Sequence, residues 1–201
     1  MIDKLLDVAA FILAAIVVMV IHELVKTIVF SVFYKSKGYK VQAWKLYQYI
    51  DPIGLIFCIT TNAGFSKPYM LRIKEKRTNF LLGIVGFSTL LIVFISSMTT
   101  FISLYQNNFI IKSDGSIFLN NNGFASDLLY YICISSLGMF LVNLYPISTF
   151  NMGLLIAGKS PSKYFSIIKN DFLIKMILII SLFTGVISTL IEMILRLFIT
   201  I

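Results

Sequence analysis

The chain is short of the residues that usually brace a small soluble fold or hold a metal. It has two cysteines, Cys58 and Cys133, both inside apolar stretches. No disulfide framework is available, and both read as packed membrane residues. His22 is the only histidine among 201 residues, so a site built from several imidazoles is excluded. Charge is scarce as well. Asp, Glu, Lys and Arg make up 13% of the chain against 58% hydrophobic residues, whereas soluble domains carry about 25% and about 45–50%. Acids are the scarcer sign, nine against 17 Lys and Arg, for a net charge of +8. Such an excess could face nucleic acid. In a chain this apolar, with mean hydropathy +0.91, basic residues mark cytoplasmic loops, and no nucleic-acid partner is expected.

What is present is a series of apolar runs at about Leu5–Tyr34, Ile53–Phe65, Phe80–Tyr105, Leu128–Tyr145 and Phe172–Ile201. About 20 apolar residues suffice to cross the hydrocarbon core as a helix, so four of these are expected to span. The second is short and contains Gly54, Asn62 and Gly64, which suits a re-entrant segment. The N-terminal run is not read as a cleaved leader, because Asp3 and Asp7 offset Lys4 and the run is too long. The expected fold class is an all-α integral membrane protein with about four transmembrane helices plus a re-entrant segment. A single polytopic domain fills residues 1–201.

The basic residues orient it. Lys35, Lys37, Lys40 and Lys45 precede the short segment, while Lys67, Arg72, Lys74, Lys76 and Arg77 follow it. A re-entrant segment puts both groups on one face, together with Lys159, Lys163, Lys169 and Lys175. The loop from Gln106 to Asp127 holds only Lys112 and falls outside. The expected location is the cell membrane, with the basic loops cytoplasmic and both termini outside. Asn107, Asn108, Asp114, Gly115 and Asn120–Gly123 make the outer loop a solvated turn region with room for a hairpin. Trp44, Tyr39, Tyr47 and Tyr49 fit an interfacial aromatic belt, and Glu192 and Arg196, spaced i, i+4, fit a structural salt bridge.

Ionisable residues at membrane depth are costly and mark candidate sites. His22, Glu23 and Lys26 share one face of the first span. Zinc proteases place His-Glu-x-x-His at this spacing, with two histidines on the metal and the glutamate as general base. Further along come Asp51-Pro52-Ile53-Gly54, then Gly64-Phe65-Ser66-Lys67-Pro68-Tyr69, then Asn143-Leu144-Tyr145-Pro146 leading to Asn151-Met152-Gly153. In order and spacing these resemble the signatures of the short bacterial and archaeal site-2 proteases, a family of intramembrane zinc metallopeptidases. The resemblance covers about Val20 to Gly153. It implies a three-helix core within residues 5–153 and a groove for extended substrate near Gly64, Lys67, Pro68, Asn143 and Pro146; the apolar run over 172–201 is read as an additional C-terminal transmembrane helix outside the resemblance.

The same resemblance exposes the departures. His22 matches the first zinc ligand and Glu23 the general-base position. Lys26 stands in place of the second histidine and Asn151 in place of the aspartate ligand. The family's Gly-Pro-x-x-Asn reads Gly86-Phe87-Ser88-Thr89-Leu90, and Met152 replaces a glycine. One good ligand of three does not hold zinc. No cofactor is therefore expected, and Glu23 has no metal-bound water to activate. Lys26 and Glu23 sum to zero charge, as dication, glutamate and aspartate would. Lys26 is accordingly expected to bridge Glu23 and the Asn151 carbonyl in the metal's structural role.

The expected function is a zinc-less pseudoprotease that binds or regulates a membrane-anchored peptide or single-span protein, or an active protease relative. One alternative is an active membrane protease that binds zinc through His22 with Asp51 or another carboxylate. Another is a scaffold or transport-associated subunit that keeps only the helix packing. Blander readings stand beside the motifs: His22 and Glu23 as interhelical polar contacts, Asp51-Pro52 as a helix cap, Lys67-Pro68 as an interfacial anchor, and Asn143 with Pro146 as a kink. The richness in Ile, Lys, Asn and Phe fits an AT-rich bacterial genome.

Overall fold

A computed structural model describes residues 2–34, 44–68, 75–105, 109–111, 117–119 and 123–199. Lys35, Lys37, Tyr39, Lys40, Tyr69, Arg72, Lys74, Asn107, Asn108, Lys112, Asp114, Gly115 and residues 120–122, all invoked above, lie outside these.

Three helices are long and apolar enough to cross a bilayer: α1 (Ile2–Tyr34), α3 (Lys76–Tyr105) and α4 (Phe124–Asn143). Proline is absent from all three and glycine is sparse, so nothing in them interrupts the backbone ladder that hydrocarbon requires. They pack on one another with small residues buried, Ala10, Ala14 and Ala15 on α1 and Ser135 and Ser136 on α4. Small residues let membrane helices come close. By length and composition the chain is a multi-pass, essentially all-helical membrane protein.

Between α1 and α3 lies α2 (Pro52–Thr61), preceded by a 3-10 turn at Leu46–Tyr49. Asp51 Oδ1 accepts the Ile53 and Gly54 amides at 2.9 and 3.1 Å, and Pro52 fills the first helical position. The plain reading of Asp51-Pro52 as a cap is thus met. Asn62 ends the helix in the left-handed conformation (φ 58°), and residues 63–68 run back beside it. The Lys67 amide reaches the Tyr49 carbonyl at 3.0 Å, closing the excursion at its base. The return is close. A Cβ on Gly54 would lie 1.9 Å from the Phe65 carbonyl oxygen, and one on Gly64 2.3 Å from that of Gly54. Tyr49 departs from the expected aromatic belt: it is fully buried beneath this segment, while Trp44 and Tyr47 are exposed.

The loop between α3 and α4 carries a two-stranded antiparallel ladder, β1 (Phe109–Ile111) with β2 (Ile117–Leu119), in which Ile110 pairs with Phe118. α4 ends at Asn143, because the following Leu144-Tyr145-Pro146 cannot continue a helix. Two short helices follow, α5 (Asn151–Lys159) and α6 (Pro161–Lys169).

The C-terminal run differs from the single helix expected over 172–201. It forms α7 (Asp171–Phe183) and α8 (Val186–Ile199), bent by 61° at Gly185. Gly185 adopts φ 74°, a conformation open to glycine and strained for other residues. The pair counts as a fourth span only if taken as one broken element. It is tied to the rest at three points: Ser148 N–H donates to Asp171 Oδ1 (2.9 Å), Tyr145 to Ser181 Oγ (2.7 Å), and Ser188 to the Thr61 carbonyl (2.7 Å). The expected Glu192–Arg196 pair is present at 3.9 Å, and both cysteines are free and buried.

Candidate functional site

The apolar part of α1 runs from Leu5 to Phe33, so His22 falls within about one helical turn of its midpoint. Around it the fold gathers five polar side chains from three places: His22, Glu23 and Lys26 from α1, Ser66 from the return after α2, and Asn151 from the first turn of α5. All five are buried.

Their hydrogen bonds close into a ring. Ser66 has one hydroxyl proton and donates it to Glu23 Oε1 at 2.9 Å. Its oxygen therefore accepts from His22 Nδ1, 2.8 Å away. A neutral imidazole protonated there has a bare Nε2, which accepts from the Asn151 amide at 3.0 Å. The remaining amide atom, Asn151 Oδ1, takes a long 3.4 Å contact from the Lys26 ammonium. Lys26 returns to Glu23 Oε1 at 2.6 Å. One assignment of protons satisfies every step, with one positive charge, one negative charge and a neutral imidazole. The two contacts expected of Lys26, to Glu23 and to the Asn151 carbonyl, are both made.

Neighbouring residues hold this arrangement. Asn143 does not line a groove; it is buried at the end of α4, donates to the Met139 carbonyl (2.8 Å) and accepts the Asn151 amide N–H (3.2 Å). It thereby fixes where α5 begins. Gly86 of α3 faces Asn151 so closely that a Cβ would lie 2.3 Å from Oδ1. Gly64 is packed against α2, Lys67 is exposed beyond the ring, and Pro146 lies in the turn between α4 and α5. Of the groove residues named from the sequence, Pro68 lines a cavity.

It lines two. A small one of about 20 Å³ beside Glu23, Lys26 and Phe30 has room for about one water. The other is a groove of about 270 Å³ walled by Phe57, Phe65, Ser66, Pro68, Ile147, Phe150, Leu178 and Leu182, with Asp51, Thr149 and Lys175 also on its lining. Residues 63–68 separate the ring from the groove, and Ser66 belongs to both. Sequence reasoning passed over Ser66 although it lies inside the Gly-x-x-Lys-Pro stretch, since a serine in an apolar segment carries no signal of its own.

At the three positions where the resemblance would put zinc ligands, the side chains present do not suit zinc. One is an ammonium bound to Glu23, and another is a carboxamide whose oxygen faces that ammonium. His22 Nε2 is the one imidazole donor among them. No three His, Cys, Asp or Glu side chains gather around one point among the described residues. Asp51 spends its carboxylate on the α2 cap and does not join the ring. Comparisons with protein-family models, with curated proteins and with solved structures gave no match.

Proposed function

We propose that this chain is a site-2-protease-like membrane protein that works without zinc and holds an extended, membrane-anchored peptide in the groove beside its polar ring. The observation that carries the reading is the Lys26 ammonium, 2.6 Å from the Glu23 carboxylate and directed at Asn151. It stands where the family would place a metal ligand, and it balances the charge that a dication would otherwise balance. In this reading Glu23 is bound by Lys26 and Ser66 rather than poised against water, so no hydrolytic step follows.

The groove supplies the binding half. Its wall includes Phe65, Ser66 and Pro68 of the return segment, beside the aromatic rings of Phe57 and Phe150. An extended apolar segment of a single-span protein fits such a wall by backbone pairing and side-chain burial. Occupants could be held and shielded, or kept from an active relative. α2 and its return then form the re-entrant element, with the basic loops cytoplasmic. With α7 and α8 taken as one span, both termini lie outside.

Two measurements test the two halves. Metal analysis of purified protein should find no stoichiometric zinc; one zinc per chain would overturn the metal-free reading in favour of an altered metalloprotease. A photo-crosslinking amino acid at Phe65 should trap membrane peptide in cells, whereas the same probe at Trp44 should not. Equal labelling at both positions would leave only a scaffold.

A further inference from the structure

A second feature lies at the far end of α5 from the polar ring. α5 runs antiparallel along α3, from Asn151 beside Gly86 to Gly158 beside Phe80 and Lys76. Its nine residues carry the chain about 12 Å, and the hydrocarbon half-thickness is about 15 Å. Starting from a ring near the middle of α1, Lys159 therefore reaches the level where α3 begins with Lys76 and Arg77. There α6 turns away, anchored by buried Tyr164, whose hydroxyl donates to the Ser148 carbonyl at 3.1 Å.

Between α5 and α6 opens a cleft of about 480 Å³ lined by Lys159, Lys163, Ser160, Ser166, Ile156 and Ile167. From Leu128 to Asn170 the sequence has no acidic residue. Among the described residues Lys159 and Lys163 make no ion pair, whereas Lys175 is paired with Asp171 at 2.6 Å. Unpaired ammonium groups and hydroxyls above an apolar floor of Ile156 and Ile167, at the depth of the headgroups, make a surface for an anionic amphiphile.

We infer that the α5–α6 cleft binds the phosphate of an anionic phospholipid, with Lys159 and Lys163 on the phosphate and Ile156 and Ile167 against the acyl chains. The occupant is a lipid rather than an acidic peptide because the isoleucines beside the lysines gain nothing from a strongly hydrated ligand. The inference is independent of the zinc-less reading.

The test uses the whole purified chain in detergent, titrated with phosphatidylglycerol, with phosphatidylcholine and with inorganic phosphate, and read by native mass spectrometry. Phosphatidylglycerol should be retained in preference to phosphatidylcholine. The Lys159→Gln, Lys163→Gln double variant should lose about fivefold per lysine, while a Lys67→Gln, Lys175→Gln control should lose little. Ile167→Ser should weaken lipid retention. Equal retention of both lipids, an equal loss in the control, or displacement of the lipid by millimolar inorganic phosphate or an acidic peptide would each overturn the assignment.

Discussion

Lys26 is the residue on which the candidate site balances. With its side chain only 8% exposed and its partner Glu23 4%, neither charge can fall back on water. Removing one member of a buried pair typically costs about 3–5 kcal/mol, whereas replacing both by apolar groups of similar shape is often neutral. Lys26→Met should therefore lower the unfolding free energy by about that amount, and adding Glu23→Leu to it should restore much of the loss. Denaturant titration of the three proteins in one detergent checks both statements. Ser66→Ala is a milder case. His22 Nδ1 still finds Glu23 Oε1 at 3.3 Å, so the cost should stay near the lower end of about 1–3 kcal/mol. Asn151→Asp adds a second carboxylate opposite one ammonium and leaves the ring with net negative charge. It should destabilise the protein, and Lys26→His alone should do so by stranding Glu23. Full tolerance of either reversion in a melting assay would show that Lys26 does not stand in for the metal.

At the scale of elements, two glycines act for opposite reasons and should respond differently to alanine. Gly64 has ordinary dihedrals but no room, since its Cβ would meet the Gly54 carbonyl and the Cys58 side chain. Gly64→Ala must push the return segment off α2, at about 1–3 kcal/mol for an overpacked site. It should also disturb the groove that this segment walls. Gly185 has room but a positive φ, with nothing within 4 Å. Gly185→Ala should cost about 1–2 kcal/mol of backbone strain without touching groove labelling. Comparing melting temperature with crosslinking yield at Phe65 separates the two effects. α7 lines the same groove through Leu178 and Leu182, and α8 braces the end of α2 beside it. Phe183 meets Phe57 edge-on at 5.9 Å, and Ser188 holds Thr61. A thiol-reactive tether across Thr61→Cys and Ser188→Cys should fix this wall and reduce peptide labelling. Undiminished labelling would mean that peptides enter without α8 moving.

For the molecule as a whole, the long apolar runs were enough to establish a multi-pass helical protein, because hydrocarbon leaves the backbone almost no other choice. His22, Glu23 and Lys26 could be grouped for a similar reason: helical spacing puts them on one face of one span. Bringing Asn151 to them took the order of the four partial motifs, since its partner lies 125 residues away. The break at Gly185 was illegible, because glycine is common in membrane helices and a single one rarely bends them. α5 and α6, nine residues each, are too short to stand out by periodicity. Asn143 read as a lining residue, yet its carboxamide joins two helix ends, which is a matter of direction and not of position.

Composition and spacing by themselves thus determined that the chain lies in the membrane and that His22, Glu23 and Lys26 share one face of one span, since the cost of burying charge shows in the sequence wherever it is incurred. Only the tertiary structure decided that Ser66 closes the ring, that Asn151 meets His22 Nε2, and that Ser66 and Pro68 also line the groove. Those outcomes depend on which donors and acceptors meet across long separations in sequence, where a shift of an ångström makes or breaks a hydrogen bond and no local pattern records it.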